Sequence, residues 1–265
     1  MKKNGKAAGI FRVIGEYALS IGVFVAIWWI YVAVKDVPAY ILPAPSKVFK
    51  SLVEMFADGS VYPHLWTTTY EVILGFVIGG LLGVMLGYAF AKADAVKTML
   101  MPYLIFLQTA PKIALVPLFV VWFGIGLVSK VVLIISMVLF PVLSGMMLGL
   151  DSIPPDVRNL MKILKATKWQ IFCKVEMPYS LPPLFASLKV GIVQAVIGAI
   201  VAEWMSGKQG LGYILTYASS TYDTPMLLAG IIVTIVLGIV TYQVIHVLEN
   251  RLLYWHESKN TANGR

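Results

Sequence analysis

The sequence predicts an all-α membrane protein with six transmembrane helices, and three observations carry that prediction. Of the 265 residues, 59% are hydrophobic and only 13% charged, against roughly 45–50% and 25% in a soluble domain. So few charges could not cover that much apolar surface in water, whereas several spans of about 20 apolar residues account for the balance. The basic residues also sit in short flanks between the apolar runs, and the flanks richest in Lys and Arg fall on one side.

The spans run approximately over residues 16–34, 70–91, 98–123, 128–150, 186–205 and 226–248. The first follows Lys2, Lys3, Lys6 and Arg12, as the apolar stretch of a signal peptide would. It continues through Trp28 and Trp29 to about Val34 with no small-residue cleavage site, which reads as a retained helix. With the N-terminus inside, one side collects that basic cluster, Lys92 and Lys97, then Arg158, Lys162, Lys165, Lys168 and Lys174, and finally Arg251, Lys259 and Arg265. The other side holds Lys35, Lys47, Lys50 and Lys208, so both termini are expected in the cytoplasm. The net charge of +8 is thereby explained without nucleic acid, and no DNA- or RNA-binding motif lies among the basic residues. The single cysteine, Cys173, excludes an intramolecular disulfide and a cysteine-based zinc cluster.

By organisation, residues 1–62 read as an N-terminal tail, the first span and an outer amphipathic segment. Residues 63–250 read as a five-helix core containing a loop at 151–184, and residues 251–265 as a cytoplasmic tail. In the outer segment, the prolines of Leu42-Pro43-Ala44-Pro45 stiffen the chain. Ser46 then serves as N-cap of a surface helix with Val48, Leu52, Val53 and Phe56 on one face, ended by Asp58-Gly59. The second span carries Gly75, Gly79, Gly83 and Gly87 on one stripe, and the fifth carries Gly191, Ala195, Gly198 and Ala202. Such stripes let helices approach closely where lipid supplies no hydrophobic drive, and packing within one bundle is their simplest use.

Polar groups at depth mark candidate functional positions. In the third span, Pro111 and Pro117 each remove a backbone donor, which predicts a kink or an unwound stretch. Irregular backbone at membrane depth is tolerated where it is buried in protein or lines a wet cavity. Lys112 lies about 22 Å beyond Lys97 on a straight-helix count, still inside a hydrocarbon core about 30 Å thick. Two readings stand for it: a group on a solute path, or a side chain that snorkels or pairs for structure. Glu203 has the same two readings, a path residue or a carboxylate capping the adjacent Gly207–Gly212 loop. Gln194 and Glu203 cannot share one cavity on a straight helix, and the larger cost of a carboxylate in lipid favours Glu203. His246 reads as a packing residue rather than a metal ligand.

The loop 151–184 mixes apolar and basic residues and is too ordered for a tether. Asp156 is placed to cap a helix with Val157, Leu160, Met161 and Leu164 on one face, and Ala166-Thr167-Lys168-Trp169-Gln170 starts a second. Pro178, Pro182 and Pro183 are expected to redirect the chain into the next span. A short rigid helix with Trp169 exposed suits a partner's groove.

These residues resemble the coupling loop, or EAA loop, of ABC importer permeases. The match lies in Leu164, Ala166, Thr167, Lys168, Trp169, Gln170, Phe172, Lys174, Val175, Pro178, Leu181 and Pro182. The remaining motifs look like the nitrate/sulfonate/taurine branch and its thiamine-precursor relatives. They are Leu42-Pro43-Ala44-Pro45-Ser46, Gln108-Thr109-x-Pro111, Ala114-Leu115-x-Pro117-Leu118, Trp122-Phe123-Gly124-x-Gly126, Gly210-Leu211-Gly212 and Leu252-Leu253-Tyr254-Trp255-His256. Two positions depart: the family's loop glutamate is matched by Asn159 and its glycine by Lys165, so here a residue with a Cβ must make the turn.

The resemblance implies a type I ABC importer permease: a homodimer, two ATP-binding cassette subunits seated on the coupling loops, and an extracytoplasmic solute-binding protein. ATP and Mg would bind the ATPase, since this chain has no G-x-x-x-x-G-K-[ST] phosphate loop, and no cofactor is expected on it. It assigns ATPase coupling to Asn159, Leu164, Lys165, Ala166, Thr167, Trp169, Phe172 and Pro178, while the candidate solute-path residues are Gln108, Thr109, Lys112, Gln194 and Glu203. Lys112 would suit an anion, and Glu203 the ring donors of a heterocycle. The run Ala195–Trp204 looks more like the thiamine-precursor group, which tips the expectation towards a heterocycle. A secondary transporter or channel using Lys112 and Glu203 as a charge relay, without an ATPase, is the alternative. An intramembrane enzyme lacks any motif.

Overall fold

The computed structural model describes residues 3–253, without the side chains of residues 3–14, 17, 18, 94, 96 and 206. Lys2, Lys259, Arg265 and the Tyr254-Trp255-His256 ending lie outside them, as do the side chains of Lys3, Lys6 and Arg12. The described residues are all-helical. Four helices are long and apolar enough to cross a membrane: α3 (Val61–Ala91), α6 (Leu127–Asp151), the stretch Lys168–Met205, and α11 (Thr224–Leu252). A fifth candidate is a bent pair, Lys97–Thr109 and Lys112–Phe123, which turns by 82° and is apolar enough for a broken span or a re-entrant loop. The first expected span is the end of α1 (Lys3–Lys35), whose described apolar part is Leu19–Lys35.

The chain divides into two compact units. One holds the residues up to Tyr62 and Ile214–Ile232. Here α2 (Pro45–Ala57) follows α1, and its N-cap is Ala44, not the expected Ser46. Pro45 in the first turn explains the shift, because its missing N–H is one that a helix start leaves unpaired anyway. The buried face is Val48 and Met55, while Val53 and Phe56 are exposed, so the expected face was rotated. A helix absent from the sequence reading, α10 (Leu211–Ser220), runs into this unit. Asp223 then caps α11, its Oδ1 accepting the Met226 N–H at 3.0 Å.

The other unit holds Pro63–Tyr213 and the residues from Val233 on. Its centre is α6, which packs along α9 (Met177–Ser206). The glycine stripe of α3 faces α6: a Cβ on Gly83 would stand 2.8 Å from the Val142 Cβ and 2.9 Å from the Leu139 carbonyl oxygen. Gly145 and Gly149 of α6 admit Ser187 and Ser180 of α9 in the same way, a second close approach that the sequence reading missed. Ile134, Val138, Val142 and Met146 of α6 form the core with Val72, Ile192, Ala195 and Ala199.

The prolines at the start of α9 do not redirect the chain. Pro178 sits in its first turn, and Pro182 and Pro183 lie inside it. A five-residue π-turn, Phe172–Glu176, joins α8 (Lys168–Ile171) to α9, so the ladder is already widened where Pro178 withholds its donor.

Candidate functional site

The break in the third span is built by its prolines. α4 (Asp94–Thr109) ends before Pro111, one 3-10 turn covers Lys112–Leu115, and α5 (Val116–Phe123) starts with Pro117 in its first turn. The break carries Lys112 onto a cavity of about 350 Å³, lined also by Gln108, Pro111, Met137, Pro141 and Gln194. Lys112 is half-buried; its Nζ donates to the Gln108 carbonyl at 3.2 Å and lies 5.2 Å from the Phe140 ring centroid. Gln108 also lines a second cavity of about 320 Å³, with Ser144 and Asp151 on its wall. Asp151 there pairs with Lys97 at 2.6 Å. Thr109 turns its hydroxyl back onto the Phe106 carbonyl at 3.0 Å and lines neither cavity.

Gln194 and Glu203 part company, as the helix geometry requires, and each meets different surroundings. Nine positions are about two and a half helical turns, so the two side chains leave α9 on opposite faces. Gln194 faces the cavity with Gln108 and Lys112. Glu203 is only 1% exposed and holds the loop beyond α9. It accepts from the Thr68 hydroxyl at 2.7 Å and from the Gly212 N–H at 2.6 Å. Burial does favour pairing of a carboxylate at depth, but here the partners are protein groups rather than a solute.

Three successive backbone amides are held this way. Gly210 N–H donates to His64 Nδ1 at 3.0 Å, Leu211 N–H to the Thr68 hydroxyl at 2.8 Å, and Gly212 N–H to Glu203. These are donors that the start of α10 leaves unpaired. Gly210 has φ +118, and a Cβ there would run into the Glu203 carboxylate. Beside this cluster, Lys130 and Glu71 form a buried pair at 2.7 Å. Thr68, Glu71 and Lys130 escaped the sequence reading. Lys130 and Glu71 were legible as lone charges inside apolar runs, but nothing local joins them.

In the loop, α7 (Pro155–Ile163) starts from Pro154, with Asp156 in its first turn rather than at its cap. Val157 and Met161 pack against the core, whereas Leu160 and Leu164 are exposed, so the expected single face is split. The helix ends in a Schellman motif: Ala166 N–H donates to the Met161 carbonyl and Lys165 N–H to that of Lys162, both at 3.0 Å. Lys165 takes the left-handed conformation, φ +49, that the family's glycine would adopt without strain. Thr167 caps α8 in a capping box with Gln170. Trp169 stands 71% exposed, stacked on Phe172 at 5.6 Å, and Asn159 is exposed on α7. Ala166 and Pro178 are half-buried. Phe172 packs edge-on to Tyr88, whose hydroxyl donates to Glu176 at 2.9 Å; Lys92 pairs with the same carboxylate.

Residues 79–254 match the family described as the binding-protein-dependent transport system inner membrane component. The chain is 32% identical over 236 residues to the putative aliphatic sulfonates transport permease protein of Bacillus subtilis, covering 89% of this chain and 86% of that one. It is also 32% identical over 220 residues to the formylaminopyrimidine transport permease protein of Halalkalibacterium halodurans, covering 83% and 88%. Among solved structures, the inward-facing MetNI methionine ABC transporter aligns with a TM-score of 0.54 at 18% identity, over 69% of this chain and 95% of that one. That likeness is one of fold. The family match contains the bent pair, the 151–184 loop and α9, and it removes the ground for a transporter that works without an ATPase. The chain therefore belongs to the inner-membrane component family of binding-protein-dependent transport systems, and it is a permease of the ABC importer type, a membrane transport subunit and not an enzyme.

Proposed function

We propose that two copies of this chain form the translocation path of an ATP-driven importer for a small solute bearing an anionic group, delivered by a solute-binding protein. The observation that carries the anionic assignment is the cavity where Lys112 meets Gln108 and Gln194. Its lining offers one ammonium, two carboxamides and no carboxylate, a set that complements an oxyanion and supplies no negative charge to balance a cationic ring. The heterocycle expectation drew on Glu203, whose oxygens are taken up by Thr68 and Gly212. A heterocyclic solute keeps two supports, the likeness of the run Ala195–Trp204 to the thiamine-precursor group and the equal identity to the formylaminopyrimidine permease.

In this reading ATP and Mg bind only the ATPase subunits, and the 151–184 loop lies in the cytoplasm, seated on an ATPase through Trp169. Both termini then face the cytoplasm. The test is uptake by proteoliposomes carrying the permease, its ATPase and its binding protein, with an alkanesulfonate and an aminopyrimidine offered separately. ATP-dependent sulfonate uptake that falls in Lys112→Gln supports the assignment. Aminopyrimidine uptake indifferent to Lys112→Gln overturns it. Orientation is read separately from Cys173, which is exposed on the loop. An impermeant maleimide should label it only after cells are permeabilised.

A further inference from the structure

Beneath α7 lies a cavity of about 180 Å³ that the transport reading does not use. Its floor is made by the buried Leu150, Ile153 and Val175, with the buried Glu176 among them, and its exposed rim carries Lys92, Arg158 and Lys162. Glu176 already accepts from Lys92 and from the Tyr88 hydroxyl, so its charge is answered within the protein. Arg158 spends one guanidinium nitrogen on the Leu150 carbonyl, at 2.6 Å, which leaves the other N–H groups of its fork. Lys162, one turn further along the same face of α7, completes the rim. The wall is thus net positive, shaped as a mostly apolar floor under a cationic mouth, at the ends of α3 and α6.

We infer that this cavity is a binding site for a phosphate group, held between Arg158 and Lys162, and that an anionic phospholipid of the cytoplasmic leaflet supplies it. Arg and Lys together give the planar fork and the point charge that phosphate takes. Basic pockets at the cytoplasmic ends of membrane helices meet anionic headgroups there. The apolar part of the floor would receive the glycerol and first methylenes, which a free phosphate lacks. Bound in this way, the lipid would tie α7 to the ends of α3 and α6. The lipid source rests on the cytoplasmic orientation proposed above; the phosphate chemistry does not.

The test is native mass spectrometry of the full-length chain released from detergent with phosphatidylglycerol or phosphatidylcholine, alone and with inorganic phosphate added. Lys162→Gln is the informative variant, because it keeps the Lys162 carbonyl that closes the end of α7 and alters only the exposed side chain. Lys168→Gln removes the same charge outside the cavity. The expected result is selective retention of phosphatidylglycerol, reduced about fivefold by Lys162→Gln, the loss of one cation beside an anionic headgroup, and unchanged by Lys168→Gln. Lys162-dependent displacement of lipid by inorganic phosphate would support the anion site and assign its source to free phosphate. Equal retention by the parent chain and Lys162→Gln, or equal loss in Lys168→Gln, would overturn the site. Cys173 labelled from outside intact cells would overturn the cytoplasmic source alone.

Discussion

The Glu203 carboxylate accepts the Gly212 backbone N–H at 2.6 Å, across the loop that ends α9 and starts α10. A residue that looked like a solute contact is thus the clamp on that turn. Glu203→Ala should remove the acceptor that the Thr68 hydroxyl and the Gly212 amide share, at about 1–3 kcal/mol for each bond lost. Thermal melting in detergent should fall well below that of the parent chain, and Glu203→Gln, which keeps one acceptor, should lie between. A melting point unmoved by Glu203→Ala would reject the clamp. Gly210→Ala should be at least as damaging, because it adds a Cβ at φ +118 against the same carboxylate.

The Lys130–Glu71 pair is buried on both sides. Lys130→Met alone should destabilise by about 3–5 kcal/mol, since it strands a buried carboxylate. Lys130→Met with Glu71→Leu should recover much of that loss. Melting curves of the two single variants and the double variant decide it: additive losses would mean the pair is not coupled.

Lys112 should separate transport from stability. It packs over Phe140 and makes one long hydrogen bond, so its loss should barely move the melting point. Uptake of an anionic solute should fall roughly ten- to a hundredfold in Lys112→Gln, for a charged hydrogen bond of about 1.5–3 kcal/mol. Gln194→Ala should give a smaller loss in the same assay. Uptake unchanged in both variants at equal expression would take the cavity off the path.

Trp169 offers an anchor that the fold itself does not need, being 71% exposed. Trp169→Ala should weaken ATPase association by about 2 kcal/mol, roughly thirtyfold, with no change in melting. Co-purification of the ATPase at parent levels would show that the contact lies elsewhere on the loop.

Lys165 holds a left-handed conformation that costs a residue with a Cβ about 1–2 kcal/mol. Lys165→Gly should therefore be neutral or stabilising by up to about 1 kcal/mol, and Lys165→Val clearly destabilising. Hydrogen exchange at the Lys165 and Ala166 amides is the local readout. Faster exchange in Lys165→Gly would contradict the strain argument.

What the amino-acid sequence determined by itself was whatever a local pattern carries. Apolar run length and flanking charge gave the membrane class. Pro111 and Pro117 gave the break, the glycines of α3 gave its packing stripe, and the missing glycine in the loop gave a strained turn at Lys165. Each follows from backbone chemistry or from a period within one helix, and the loop motif named the family for the same reason. The tertiary structure decided which neighbour each face meets. Gln194 and Glu203 share one helix and differ by about half a turn in direction, yet only the position of α4, α6 and α3 around α9 shows that the first meets a cavity and the second a loop. Thr68 with Glu203, and Glu71 with Lys130, join residues far apart in the chain, and no local period links them. Ser46 and Asp156 lost their expected caps because a proline beside each fixed the helix start. The pocket under α7 exists only because three helix ends and one loop converge, and convergence of that kind is set by packing, not by any stretch of sequence.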